Sequence, residues 1–327
     1  MPEAKRKTLA EIEADIAAHK DLLNEIQSIR QEVRGYTTVP LDQRNPAAAA
    51  RLRTFMAAAP GKRAFNMLAQ GDSWFDYPTG TDLIDCLHSN HGHTITNIAV
   101  AGSTLNDEAY GPVPRQMFGI GPPQSNDPNR IADLVHQINQ VKPQALLLSA
   151  GGNDVAGDEF FSFINNAASG LPSVNQEVLD GVVNATFKAA YQYLIDTALA
   201  AAAKLAIKMP VFTHSYDYPW PDGRPFVSFL WWKVGPWFDP TFNKKNYPYT
   251  NAATLKTRHD IVMKFIDSLN TMLVSLAANP TYKGKLFHVD LRGTLTTNAD
   301  WANELHPRNP GFAKLADKID AALQANI

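Results

Sequence analysis

Residues 64–78 read AFNMLAQGDSWFDYP, and their reading decides the fold. Ala64 to Gln70 is a short, largely apolar run of the length expected for a strand buried on both faces. It stops at Gly71-Asp72-Ser73-Trp74, a turn leading into a helix. The same pattern recurs at Thr94 to Ala101, Gln144 to Ala150, Met209 to Thr213 and Leu286 to Asp290. Amphipathic stretches lie between these runs. One carries Val178, Leu179, Val182, Val183, Phe187, Leu194 and Ile195 on a single face; another carries Leu255, Ile261, Val262, Phe265, Ile266, Leu269, Leu273 and Leu276. Alternation of this kind predicts an α/β fold, a three-layer α/β/α sandwich built on a five-stranded, mostly parallel sheet.

Around this centre the chain carries two additions. Residues 1–38 form an arm in which Leu9, Ile12, Ile16, Leu23, Ile26 and Val33 recur near heptad spacing, predicting one amphipathic helix over 7–34. Its apolar stripe is expected to pack on the protein's own body. Self-association through this helix is the lesser alternative, because His19 and Arg30 interrupt the seam. A further helix is expected over Pro46 to Ala59, and residues 39–327 make up the main domain. Within that domain, residues 216–250 concentrate prolines and four of the six tryptophans directly after the fourth strand. A connection this long is usually a functional loop or a packed excursion. Here it reads as either a satellite core or an apolar wall over the site.

Composition narrows the function classes. Thirty Lys and Arg stand against 32 Asp and Glu, with no long block of either sign, so no nucleic-acid partner is expected. The single cysteine, Cys86, permits no internal disulfide and reads as a buried, inert thiol. No run of about 18 apolar residues occurs and the start lacks a signal-peptide pattern, so the expectation is a cytoplasmic protein with no integral membrane segment.

In an open parallel sheet, ligands bind beyond the carboxyl ends of the strands. The residues found there are Ser73 and Trp74 after the first strand, Gly102 after the second, Gly151-Gly152-Asn153-Asp154 after the third, and His214-Ser215-Tyr216-Asp217 after the fourth. His306 follows in a separate C-terminal loop. Acyl transfer requires a nucleophile, a base within hydrogen-bond reach and donors aimed at the developing oxyanion. Ser73, His306, and the Gly102 N–H with the Asn153 amide supply these in turn. Trp74, His214, Tyr216 and Asp217 are placed to contact substrate.

The strings GDSWFDYP, NIAVAGST, LLLSAGGND and NELHP resemble, in order, the four sequence blocks of the SGNH (GDSL) hydrolase superfamily, spanning about residues 64 to 312. The resemblance implies a flavodoxin-like α/β/α domain, ester or thioester hydrolysis through an acyl-enzyme, and neither metal nor cofactor. It makes Ser73 the nucleophile, His306 the general base, and Gly102 and Asn153 partners of the Ser73 N–H in an oxyanion hole. The implied partner is a small-molecule or lipid-like ester. An acyltransferase would use the same residues, and a scaffold protein would keep the fold without the chemistry.

One position departs from the pattern. The family usually has an aspartate three residues before the histidine, and here that position is Asn303. An amide accepts a hydrogen bond from imidazole but brings no charge. Asp300, Glu304 or a main-chain carbonyl are alternative orienting groups, with a dyad oriented by Asn303 or a carbonyl favoured. Closely spaced His88, His91 and His93 suggest zinc, but they precede the second strand, at the end of the sheet away from Ser73.

Overall fold

The computed structural model describes residues 6–34, 62–78, 80–115, 121–122, 124, 126–229 and 232–327. The helix expected over Pro46 to Ala59 lies outside them.

The five expected strands all form. They are β1 (Asn66–Gly71), β2 (Thr94–Asn97), β3 (Ala145–Ser149), β4 (Val211–His214) and, after a short hairpin of β5 (Val227–Phe229) and β6 (Trp232–Val234), β7 (Leu286–Val289). The sheet runs β2-β1-β3-β4-β7 and every pairing is parallel. Met67 pairs with Ile95 on one side and with Ala145 on the other. β1 and β3 are buried almost throughout, which explains why they read as continuous apolar runs rather than alternating ones. β2 is shorter than the sequence suggests, because Asn97 folds its side chain onto the N–H of Ala99, although the N–H groups of Ile98 and Val100 still donate to β1 carbonyls.

Helices cover both faces. α3 (Leu83–His91) packs with the C-terminal helix α9 (Asn309–Asn326) on one side. On the other side α5 (Arg130–Val141), α7 (Lys188–Lys204) and α8 (Ala252–Ala277) form a continuous layer. α7 is reached through α6 (Gln176–Gly181) and a π-helical turn, Val182–Phe187. That turn inserts a register shift, yet Leu179, Val183, Phe187, Leu194 and Ile195 all remain buried.

The arm differs from the sequence reading in one respect. Instead of a single helix there are two, α1 (Leu9–Ala18) and α2 (Lys20–Arg34), broken at His19, whose φ of −120° and ψ of 20° leave the helical region. The imidazole Nδ1 of His19 hydrogen-bonds the carbonyl of Asp15 at 2.9 Å, a local bond that competes with helix continuation. Both pieces pack on the body. Ile12 joins the main core, Leu23 and Ile26 meet Val113, and Arg30 forms a buried ion pair with Asp133 at 2.7 Å. Leu9 and Ile16 pack partly buried beside them, so among the described side chains the apolar stripe faces the chain's own body.

The strand order reverses between β1, whose next strand in sequence lies on one side, and β3, on the other. At such a switch point the loops after the two strands diverge and leave a crevice. Ser73 and Asn153 stand on its two sides.

Candidate active site

Gly71, the last residue of β1, lies so close to β3 that a Cβ there would sit 2.8 Å from the Ser149 Cβ, so only glycine permits this approach. The chain then turns around Asp72. Its carboxylate accepts the Trp74 N–H at 2.9 Å, the Ser149 hydroxyl at 3.0 Å and the Tyr216 hydroxyl at 2.5 Å. Burial pushes the Asp72 carboxyl up to about 6, against the pull of these donors. The turn fixes Ser73 at the mouth of the crevice. Among the described residues its N–H has no acceptor.

His306 arrives from a loop closed by two backbone bonds, Ala302 N–H to the His306 carbonyl and Arg308 N–H to the Asp300 carbonyl, each 2.8 Å. The Ser73 hydroxyl lies 2.7 Å from His306 Nε2, and His306 Nδ1 lies 3.0 Å from Asn303 Oδ1. Asn303 Oδ1 also accepts the N–H groups of Leu305 and His306, both at 2.9 Å, while Nδ2 donates to the Tyr77 hydroxyl at 3.2 Å. This network fixes the amide with its oxygen toward the ring. Nδ1 therefore carries the proton and Nε2 is left to accept from Ser73. The Tyr77 ring lies against the imidazole, centroids 4.5 Å apart, with Phe226 and Trp237 at 5.9 and 5.8 Å. Burial in this aromatic shell pushes His306 down to about 3, so the ring is neutral.

The other two loops are joined to each other. Gly102 takes a φ of +79°, a conformation that favours glycine, and its N–H also lacks an acceptor among the described residues. The turn is tied down on both sides: Val100 N–H donates to the Gly71 carbonyl at 2.9 Å, Ala101 N–H to Asp76 at 2.9 Å, and Asn153 Nδ2 to the Ser103 carbonyl at 2.9 Å. Asp154 caps α4 (Leu105–Tyr110) by accepting the Leu105 N–H at 2.7 Å. Behind the turn Arg130, fully buried, donates to the Ser103 hydroxyl at 2.5 Å, and the buried Glu108 lies close enough to bias its charge. Nothing in the sequence pattern singled out Arg130 or Glu108.

The residues expected to meet substrate divide. Trp74, Tyr216 and Asp217 line the cavity beside Ser73, whereas His214 does not. The His214 ring stacks on Trp74, Nδ1 bonds the Ser215 carbonyl at 2.8 Å, and burial pushes it down to about 4. Asp217 is occupied by the N–H groups of Tyr218, Gly293 and Leu295. Trp74 Nε1 donates to the Leu305 carbonyl at 3.0 Å, tying the Ser73 turn to the histidine loop.

Neither acidic alternative to Asn303 faces His306. Asp300 accepts from Thr297 and Lys314. Glu304 accepts four N–H groups of the 216–250 segment, from Gly223 at 3.0 Å, Trp237 at 2.6 Å, Phe238 at 2.8 Å and Asp239 at 3.2 Å. It is the staple that holds the aromatic segment over the histidine loop, a role invisible in sequence. The three clustered histidines serve the opposite end of the sheet: His91 bridges Asp317 and Asp320, His93 bonds Asp320, and His88 bonds the His93 carbonyl. Among the described residues no group of three or more His, Cys, Asp or Glu is arranged to hold a metal, and no helix is long and apolar enough to cross a membrane.

No family model and no curated protein matches the chain. Solved structures similar to it include a lipase from a goat rumen metagenome, 12% identical with a TM-score of 0.45 over 79% of this chain and 97% of that one. An acetyl esterase is 11% identical, TM-score 0.38, over 79% and 95% of the two chains. The periplasmic domain of a lipopolysaccharide acetyltransferase from Salmonella ser. Paratyphi A is 13% identical, TM-score 0.41, over 88% and 98%. Likeness at this level carries no chemistry. The α/β/α fold stands on the strand order itself, and the site on its own distances.

Proposed function

We propose that this protein is a serine ester hydrolase of the SGNH type, acting through an acyl-Ser73 intermediate. The observation that carries the reading is the relay from the Ser73 hydroxyl to His306 Nε2 at 2.7 Å and from His306 Nδ1 to Asn303 Oδ1 at 3.0 Å. In the first half-reaction Ser73 Oγ bonds to the ester carbonyl carbon and its proton passes to Nε2. The carbonyl oxygen becomes an oxyanion facing the Ser73 and Gly102 N–H groups and the Asn153 amide. The C–O bond to the alcohol then breaks and Nε2 returns the proton to the leaving oxygen. Water follows the same path in reverse, releasing the acid and restoring Ser73. An acyltransferase differs only in admitting an alcohol in place of water at that second step.

Asn303 sets the tempo. It holds the correct tautomer but supplies no negative charge to the imidazolium formed in transit, so stabilisation falls on the oxyanion donors. The expected behaviour is genuine but slow turnover. Rapid mixing with p-nitrophenyl acetate tests this: a burst of nitrophenolate of about one equivalent per chain, lost in Ser73→Ala, is the expected result. Steady release at equal rates in both proteins overturns the assignment.

A further inference from the structure

We propose that the cavity beside Ser73 is an acyl pocket for an uncharged aliphatic chain of about two to four carbons. The proposal deepens the ester-hydrolase reading and rests on it. The cavity has a volume of about 40 Å³ and is walled by Ser73 and Asn153 at the reacting end and by Val262, Phe265 and Ile266 of α8. His306 is not part of the wall. The leaving alcohol takes its proton from Nε2 and so departs on the imidazole side. The acyl remainder, bonded to Ser73, is left facing the cavity.

Two features define what fits. The first is polarity. Asp72, Tyr216 and Asp217 border the cavity, but Asp72 is filled by three donors, the Tyr216 hydroxyl donates to it, and Asp217 takes three backbone N–H groups. A charged acyl group would lose water there and find no free counter-charge, whereas Trp301, which also borders the cavity, keeps a buried Nε1–H without a partner among the described residues. The second is size. One water-sized group needs roughly 10–15 Å³ of such space, so this cavity takes about three. That is the tail of a butyryl group. The wall does not yield readily, because the Phe265 ring is wedged against Phe160 and Phe163 at centroid distances of 5.1 and 5.5 Å.

The test is a chain-length profile on the full chain with p-nitrophenyl acetate, butyrate, hexanoate, octanoate and decanoate. The expected kcat/KM peaks at acetate or butyrate and falls at least about tenfold by octanoate, since one misplaced methylene alone changes discrimination by roughly tenfold or more. Val262→Phe should lower the butyrate-to-acetate ratio at least about fivefold, while Val262→Ala should raise the hexanoate-to-butyrate ratio. Ratios within one variant are insensitive to the fraction of folded protein. A wild-type profile rising to octanoate, or ratios unchanged in both variants, overturns the acyl pocket while leaving Ser73 chemistry intact. Failure of the hydrolase reading looks different, with no ester turned over in a Ser73-dependent way.

Discussion

The amide oxygen of Asn303 faces the Nδ1 of His306 at 3.0 Å, while its amide nitrogen is turned away onto Tyr77. This orientation separates two penalties that are usually counted together. In the chymotrypsin-type triad, a worked case, replacing the aspartate by asparagine costs about ten-thousandfold, largely because the amide imposes the wrong tautomer. Here the tautomer is right and only the charge is missing.

Restoring the charge should therefore help, but by less than that factor. Asn303→Asp retains every acceptor contact. We expect kcat/KM for p-nitrophenyl acetate to rise about 10- to 100-fold, well short of the ten-thousandfold lost when tautomer and charge go together. A fall in rate with the fold intact contradicts this.

The acid limb of the pH profile follows from burial. A histidine base works only when neutral, and activity is lost as the pH falls through its folded pKa. His306 is held down to about 3, so kcat/KM should be flat from pH 8 to 5, where an ordinary imidazole of pKa about 6.5 would be mostly protonated. In Asn303→Asp the added carboxylate favours the imidazolium and should move the limb upward. Initial-rate profiles on the two proteins check both statements.

Asn153 should behave as an oxyanion donor rather than a binding residue. Asn153→Ala is expected to lower kcat by about 10²- to 10³-fold with KM little changed. A rise in KM at constant kcat would instead assign it to ground-state binding.

Glu304 should be structural. Glu304→Ala leaves the four N–H groups of Gly223, Trp237, Phe238 and Asp239 without their acceptor. Buried, unsatisfied donors cost roughly 1–3 kcal/mol each before water relieves them, so a loss of at least about 2 kcal/mol is expected in urea unfolding, with earlier proteolysis inside residues 216–250. Unchanged stability would show that the segment holds itself in place.

Most of this architecture was legible in the sequence because a parallel sheet converts strand ends into neighbours. Ser73, Gly102 and Asn153 each follow a strand by a few residues, and the strand order alone brings their loops together. The break at His19 was not legible, since one residue's dihedrals decide it against an otherwise continuous apolar stripe. Nor were Arg130 and Glu304. Arg130 acts on Ser103, 27 residues away, and Glu304 acts on backbone N–H groups 65 to 81 residues away, and such partners carry no mark in the local pattern. His214 shows the converse limit: it ends the right strand but turns inward against Trp74.

The most direct measurement is intact-protein and peptide mass spectrometry after treatment with a fluorophosphonate. A single adduct on Ser73, absent in Ser73→Ala and slowed at least about a hundredfold in His306→Ala, is the predicted result. An adduct on another residue, or equal labelling without His306, would mean that the 2.7 Å contact between hydroxyl and imidazole does not activate a nucleophile.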